Sequence, residues 1–217
     1  MIVIPAILTN SPQEFKKLID QVERVYLDKG DTGRVQIDII DGKFAQNKTV
    51  DPYALSYIET NLKIDFHLMV REPANWIEKC LRVGGDRIIG QIELMEDQLY
   101  FVQKAQELGL KVGLAIDLDT PVSRLYQKAL KDVDVVLTMS VKAGLGGQKF
   151  NPLVLDKLKQ LGEIRKQDLT PFSICTDGGI TLQLVETLSE LGVDEVAVGR
   201  RIFEGNLSDN IKKFSEA

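Results

Sequence analysis

Short apolar segments rich in valine and isoleucine recur along the whole chain, separated by stretches with helical periodicity. Segments of this length and composition are typical of strands that are buried on both faces of a sheet. In the intervening stretch SPQEFKKLIDQVERV, apolar residues recur at i, i+3, i+4 and i+7, as in an amphipathic helix. The alternation indicates a parallel sheet with helical crossovers. The apolar segments are IVIPAIL, RVQIDII, KIDFHLMV, DRIIGQI, KVGLAIDL, DVDVVLTM, PFSICT and DEVAVG.

About eight such units within 217 residues, without a long insert, predict an α/β protein with a single (β/α)8 barrel, the TIM barrel. An open doubly wound sheet is the alternative. Such a sheet normally has a glycine-rich turn after its first strand, and the segment PAILTNSP contains no glycine. No segment has the composition of a linker, so we expect one domain over residues 1–217.

Composition limits the function classes. The formal net charge of -5 disfavours a nucleic-acid partner or an anionic membrane surface. No apolar run reaches the roughly 18 residues of a membrane span, and MIVIPAIL lacks the basic region and cleavage site of a signal peptide. We therefore expect a cytoplasmic protein. Cys80 and Cys175 lack metal-type spacing, so we expect both to be reduced and buried.

Polar residues interrupt several of the predicted strands close to their carboxyl ends. Side chains alternate along a strand, so Gln36 and Asp38 share one face of the second strand. His67, Gln91 and Asp177 come near the ends of the third, fourth and seventh strands. Each residue taken singly is more often structural. A buried carboxylate is nevertheless costly unless it is paired or bound to metal, and the set together predicts a site at the mouth of a barrel.

Glycines follow the last three strands, and the loops after the seventh and eighth strands are the common phosphate site of such barrels. Glycine lets backbone N–H groups approach a phosphate closely, and a helix N-terminus adds a favourable dipole. One glycine pair would be no more than a tight turn, whereas glycines after three adjacent strands predict an anion site. The predicted phosphate-binding residues are Gly144, Gly146, Gly147, Gly178, Gly179, Gly199 and Arg200.

Four segments resemble the ribulose-phosphate 3-epimerase family, in order and spacing, from about Pro5 to Phe203. They are IDIIDGKF, DFHLMVREPANWI, MSVKAGLGGQKF and the pair DGGI and VDEVAVGRRIF. The resemblance implies a barrel of the ribulose-phosphate-binding type. It also implies an isomerase of carbohydrate metabolism that epimerises a phosphorylated ketopentose at C3, interconverting D-ribulose 5-phosphate and D-xylulose 5-phosphate of the pentose phosphate route. A phosphorylated sugar is the expected partner, and a homo-oligomer the expected assembly.

The resemblance also implies roles for individual residues. The family holds a divalent metal, often zinc or iron, with two histidines and two aspartates, and the aspartates serve as the acid/base pair. Asp38 and Asp177 match the aspartates and His67 matches one histidine, whereas Gln36 stands at the other. Gln91 stands where the fourth strand has a further histidine, and Thr9 where the first has a serine. The implied substrate-binding residues are Thr9, Met69, Met139 and Gln91.

The glutamine at position 36 alters the implied metal site. A neutral amide oxygen is a poorer zinc ligand than imidazole. Residues Gln36, Asp38, His67 and Asp177 therefore suit Mn²⁺ or Mg²⁺ better than Fe or Zn, or hold any of these weakly. No organic cofactor is expected.

Three functions stay open at this point. The first is a sugar-phosphate epimerase with a different or loosely held metal, and the second is a metal-free sugar-phosphate enzyme with other proton chemistry. The third is a non-catalytic binding or regulatory protein. Retention of both Asp38 and Asp177 favours an enzyme, because two carboxylates near an anionic ligand do not serve binding alone.

Overall fold

The computed structural model describes residues 1–28, 30, 32–167 and 171–217. Within these residues, eight parallel strands form one closed barrel, in which β8 pairs with β1. Closure confirms the (β/α)8 barrel and excludes the open doubly wound sheet. The strands are β1 (Ile2–Ile7), β2 (Arg34–Ile40), β3 (Lys63–Met69), β4 (Gly85–Gln91), β5 (Lys111–Ile116), β6 (Val135–Met139), β7 (Ser173–Asp177) and β8 (Glu195–Val198).

Helices cover the outside of the barrel. In the first helix, Ser11 caps the N-terminus by accepting a hydrogen bond from Glu14 N at 3.2 Å, and Phe15, Ile19 and Val22 are buried. The apolar periodicity of the sequence is therefore confirmed there. The α-helices are α1 (Pro12–Leu27), α2 (Ile77–Arg82), α3 (Gln98–Glu107), α4 (Gln127–Leu130), α5 (Val154–Arg165), α6 (Leu182–Glu190) and α7 (Leu207–Glu216).

The connection between β2 and β3 departs from the regular unit, because its helical part is the 3₁₀ helix Pro52–Tyr57. The loop before this 3₁₀ helix folds back against the carboxyl end of β2. The Thr49 hydroxyl donates to Asp38 O at 2.8 Å and accepts from Ile40 N at 2.9 Å. This loop therefore fixes the end of the strand that carries Asp38.

The barrel interior is apolar in the middle and charged at its floor. Arg87 donates to both carboxylate oxygens of Glu195, at 3.0 and 2.6 Å, and to Asp65 Oδ2 at 2.5 Å. Arg34 adds an ion pair with Asp65 from the barrel rim. Arg87, Asp65 and Glu195 are all buried. This ion network therefore fills the end of the barrel opposite to the carboxyl ends of the strands with charged residues.

Both cysteines are free thiols and both are buried, which confirms the expectation from the sequence. Burial raises the pKa of Cys80 and of Cys175 well above the value of an exposed thiol. Neither thiol is therefore ionised near neutral pH.

Candidate active site

Polar side chains from three strands meet inside the barrel near its mouth. On β2, Ile37 and Ile39 pack outward against the helices, so Gln36 and Asp38 point inward. The register pairs Asp38 with His67 on the neighbouring strand β3. Asp177 ends β7. Ligand atoms of Asp38, His67 and Asp177 all lie within 4.8 Å of one another, and the three side chains are buried.

Gln36 joins the two carboxylates. Its Nε2 donates to Asp38 Oδ1 at 2.8 Å and to Asp177 Oδ2 at 2.6 Å. His67 Nδ1 lies 3.1 Å from Asp38 Oδ1 and 3.9 Å from Asp177 Oδ2. The Gln36 Oε1 atom is buried and has no hydrogen-bond partner among the described residues. One amide therefore gives both of its N–H groups to the carboxylates and leaves its oxygen unsatisfied.

The site shifts the protonation of its members. Burial, together with the charge of Asp38, raises the pKa of Asp177 to about 7, although His67, Gln36 and the Gly178 N–H act in the opposite direction. Burial alone would lower the pKa of His67. Its hydrogen bond to Asp38 and the charges of Asp38 and Asp177 outweigh burial, so the pKa of His67 is raised. A carboxyl group with a pKa near neutrality suits proton transfer.

The residues at this site fit a divalent cation. Asp38, His67 and Asp177 offer two oxygens and one nitrogen that converge within 4.8 Å, a donor set used by Mn²⁺, Fe²⁺ and Zn²⁺. The amide of Gln36 is turned with its nitrogen toward the carboxylates. Its oxygen is the only ligand atom it has, so a fourth protein ligand from this residue requires the amide to turn.

Glycine loops line the cavity above these residues. The cavity has a volume of about 520 Å³, and Asp38, Asp177, Met69 and Met139 also line it. The predicted phosphate-binding residues all belong to its wall: Gly144, Gly146, Gly147, Gly178, Gly179, Gly199 and Arg200.

Two of these glycines are required by positive φ angles and by close contacts with neighbouring residues. Gly179 has a φ of +61°, and a Cβ there would lie 2.3 Å from Phe150 N. Gly178 has a φ of +113°, and its Cβ would lie 2.5 Å from a methyl group of Val141. The Arg200 guanidinium lies against Gly147, since a Cβ on that glycine would be 3.2 Å from Arg200 Nη2. A cation and a glycine loop therefore face the same part of the cavity.

The remaining predicted residues are buried but do not line the cavity: Thr9, Gln36, His67 and Gln91. Thr9 donates its hydroxyl hydrogen bond to Glu14, whose side chain lines the cavity. Gln36 and His67 contact Asp38, as described above. Gln91 is fully buried beside His67, with its amide 3.3 Å from His67 Nε2.

Several residues that shape the site were missed from the sequence. Ser140 donates to Asp177 O at 2.9 Å, and Gln148 closes the glycine loop by donating to Lys142 O and Leu145 O at 2.7 and 2.8 Å. Glu14 and Glu93 also reach the site or its surroundings. The sequence offers no pattern for these residues, because each acts through a contact made only in the folded chain.

Among the described helices, none combines the length and apolar character needed to cross a membrane.

Comparison with known proteins places these observations in a family. Residues 2–203 match the model of the ribulose-phosphate 3 epimerase family. The ribulose-phosphate 3-epimerase of Bacillus subtilis (strain 168) is 31% identical, over 99% of this chain and 96% of that protein. The enzyme of the same name from Treponema pallidum (strain Nichols) is 32% identical, over 88% of each chain.

Solved structures agree with this fold. A 3-keto-L-gulonate-6-phosphate decarboxylase from Vibrio cholerae superposes with a TM-score of 0.69 at 13% identity, covering 100% of this chain and 95% of that one. A 3-hexulose-6-phosphate synthase gives 0.67 at 10% identity, covering 100% and 99%. At such identities the likeness concerns the barrel alone.

The family match over nearly the whole chain and the curated relatives at about 30% identity establish that the chain belongs to the ribulose-phosphate 3-epimerase family.

Proposed function

We propose that the protein inverts C3 of a phosphorylated ketopentose and so interconverts D-ribulose 5-phosphate and D-xylulose 5-phosphate. The observation that carries this proposal is the pair Asp38 and Asp177. Both carboxylates line one cavity, and Gln36 Nε2 hydrogen-bonds to both. Inversion needs a proton acceptor on one face of the carbon and a proton donor on the other, and two carboxyl groups from different strands can serve both roles.

The proton chemistry is as follows. One aspartate takes the C3 proton next to the ketone, which leaves an enediolate, and the other returns a proton to the opposite face. The raised pKa of Asp177, about 7, lets this group hold a proton at neutral pH and release it again. Charge develops on the substrate oxygens. Gln36 Nε2 and the imidazole of His67 hydrogen-bond to the carboxylates, and each would have to turn from them to donate to that charge.

A divalent metal would be held by Asp38, His67 and Asp177, with Gln36 beside them. When bound, such a cation supplies positive charge that favours an enediolate. The amide of Gln36 offers a weaker fourth ligand than an imidazole would. We infer that metal is held less firmly than a site with two histidines would hold it.

The substrate would be bound by its phosphate at one end and against apolar walls at the other. Backbone N–H groups at Gly147, Gly178 and Gly179 and the guanidinium of Arg200 suit a phosphate group. Met69 and Met139 form apolar walls near the carboxylates. Thr9 and Gln91 do not line the cavity, and their assignment to substrate rests on family resemblance alone.

Deuterium exchange tests the two-aspartate assignment. In D2O, the wild type should place one solvent deuteron at C3 of both epimers. Asp38→Asn and Asp177→Asn should each slow epimerisation by about 10²–10⁴-fold, because each removes one of two acid/base groups. Each variant should still exchange the C3 proton of one epimer without inversion, and the two variants should differ in which epimer they exchange.

Asp20→Asn, on the surface of α1, is the control and should behave as the wild type. If Asp38→Asn and Asp177→Asn invert C3 at the wild-type rate, the two-aspartate assignment is wrong. If the wild type exchanges no C3 proton of either sugar, the substrate assignment is wrong.

One observation favours a second candidate, a metal-free sugar-phosphate enzyme with other proton chemistry. The Gln36 amide nitrogen already hydrogen-bonds to both carboxylates, which are the groups a cation would need. Elemental analysis of the purified protein, followed by assay with and without a chelator, separates the candidates. Activity on a sugar phosphate that survives chelation would support the second. Binding of sugar phosphates without any proton exchange would support a non-catalytic binding or regulatory protein.

A further inference from the structure

The start of the glycine loop, residues 144–148 between β6 and α5, is hydrogen-bonded to the neighbouring loop after β5. Ala143 N, just before the glycine loop, donates to Asp117 Oδ1 at 2.7 Å, and the same oxygen accepts from Leu118 N at 2.7 Å. Asp117 N in turn donates to Glu93 Oε1 at 2.8 Å. The Asp117 carboxylate is therefore fixed at the end of β5 and ties the start of the glycine loop to that strand.

The other end of the same connection is tied to the loop after β5 by a buried lysine. Lys157 lies on α5, which follows the glycine loop, and its side chain is buried. The ammonium donates to the backbone oxygens of Asp117 and Thr120, each at 2.6 Å, and to that of Leu118. These hydrogen bonds use all three of its N–H groups. A buried ammonium is costly unless it is hydrogen-bonded in this way, so α5 is held against residues 117–120.

The other side-chain hydrogen bonds of the glycine loop, within the part of the chain that the structure describes, are internal or long. Gln148 donates to two backbone oxygens of the same connection, at 2.7 and 2.8 Å, and so shapes the loop from within. Asn47 Nδ2 lies 3.4 Å from Gly144 O. Both ends of the connection, by contrast, are held to residues 117–120 by hydrogen bonds of 2.7 Å or less. The place of the glycine loop in the cavity wall therefore depends on the loop after β5.

We propose that Asp117 and Lys157 are positioning residues that hold the glycine loop in the conformation that binds the phosphate of the substrate. Neither side chain lines the cavity, so both act through the loop and not by contact with substrate. A loop already held in its binding conformation loses less entropy on binding, and the apparent affinity falls with the fraction of molecules whose loop is competent. This inference rests on the phosphate site of the proposed function and adds the residues that keep that site formed.

Asp117→Ala tests the first of these residues. The variant removes the acceptor of Ala143 N, and the Kd for inorganic phosphate, titrated calorimetrically, should rise by about tenfold. The KM for ribulose 5-phosphate should rise by a similar factor while kcat changes little, because the loop binds the phosphate equally in the ground and transition states. A phosphate affinity equal to that of the wild type would overturn the role of Asp117, and so would a lowered kcat with an unchanged KM.

Two further variants separate positioning from general stability. Asp117→Asn keeps an oxygen that can accept in the place of Oδ1, and it should restore both Kd and KM. Asp134→Ala is the matched control, because Asp134 Oδ2 accepts from Val112 N at 2.8 Å just before β6, at the opposite end of the barrel. It should also lower the melting temperature but leave phosphate affinity unchanged. Equal losses of phosphate affinity in both alanine variants would mean that Asp117 acts through stability alone, against the proposal.

Lys157→Met tests the second positioning residue, since it removes the ammonium and keeps a side chain of similar length. The Kd for inorganic phosphate should again rise by about tenfold. Lys159→Met is the control, because Lys159 lies on the same helix, is exposed and carries the same charge, 3.5 Å from Asp156. It should bind phosphate as the wild type does. Wild-type affinity in Lys157→Met, or the same loss in both lysine variants, would contradict the role of Lys157.

Amide hydrogen exchange reports the position of the loop without any ligand. In Asp117→Ala, exchange at the Ala143 amide should be at least about tenfold faster than in the wild type, because its hydrogen bond is lost. The Val112 amide, which is bound by Asp134, should exchange as before. If the wild type binds neither phosphate nor ribulose 5-phosphate, the proposed function fails. Unchanged exchange at Ala143 overturns the positioning role, whatever the ligand measurements give.

Discussion

The chemistry of the candidate site depends most on one residue, Gln36. Its two N–H groups satisfy two buried carboxylates at once, and its own oxygen is left without a partner. An unsatisfied buried acceptor typically costs about 1–3 kcal/mol. This cost persists because moving the amide would remove a donor that hydrogen-bonds to Asp38 and Asp177 at once.

Replacement of Gln36 by histidine tests this interpretation. Gln36→His adds an imidazole beside Asp38, His67 and Asp177, and we expect zinc affinity to rise at least about tenfold, or about 1.4 kcal/mol. Calorimetric zinc titration of metal-stripped protein measures the change. Gln98→His, at the start of α3, controls for the added surface imidazole. Equal zinc affinity in the wild type and Gln36→His would show that residue 36 does not limit metal binding.

The strands of the barrel carry charges at both ends of the same interior. At the mouth, carboxylates serve the candidate site, whereas at the floor Asp65 and Glu195 are neutralised by Arg87. Side chains alternate along a strand, so Asp65 at the floor and His67 at the mouth, two residues apart on β3, both point into the barrel. Burial acts to raise the pKa of Asp65, and the charges of Arg87 and Arg34 act to lower it; burial prevails.

Removal of the floor cation should destabilise the barrel. Arg87→Met leaves two buried carboxylates without their main partner, and we expect a loss of about 3–5 kcal/mol in the free energy of unfolding. Urea denaturation measures it. Arg82→Met is the control, because Arg82 is exposed and lies 3.9 Å from Glu78, and it should change stability by less than about 0.5 kcal/mol. Similar losses in both variants would mean that the buried network contributes nothing beyond an exposed pair.

At the scale of the whole molecule, barrel closure brings the loops after β6, β7 and β8 to one wall of the cavity. The anion site that we propose there exists only when the strands are assembled in order. Binding should therefore stabilise the folded chain as a unit. We propose that residues 1–217 form one domain, so that its unfolding is a single transition.

Phosphate should raise the melting temperature of this single transition. A ligand that binds only the folded state adds about 2.7 kcal/mol at 100 times its Kd. Differential scanning calorimetry with millimolar inorganic phosphate, against sodium chloride of equal ionic strength, measures the shift. Arg200→Met should reduce it and Arg82→Met should not. Two separate transitions would contradict the single domain, and no shift with phosphate or ribulose 5-phosphate would contradict the anion site.

The strands, most of the crossovers and the candidate site residues are predicted from the sequence alone. Burial and helical periodicity are local properties, so the segments RVQIDII and KIDFHLMV predict strands without knowledge of their neighbours. Alternation along β2 predicts that Gln36 and Asp38 share one face, whereas the inward direction of that face follows from the outward packing of Ile37 and Ile39 in the closed barrel. The 3₁₀ helix Pro52–Tyr57, which stands in place of a regular crossover helix, does not follow from the sequence. The loop before it is held by contacts with the end of β2 that form only in the folded chain.

Only the tertiary structure decided which atoms meet. The hydrogen bond from Gln36 to Asp177 joins residues 141 positions apart, and the one from Arg87 to Glu195 joins residues 108 apart. Such contacts depend on barrel closure and strand register, which fix positions to within a hydrogen-bond length. The sequence therefore determined that polar residues gather at the strand ends, whereas the fold determined that an amide bridges the aspartates and that Gln91 faces His67.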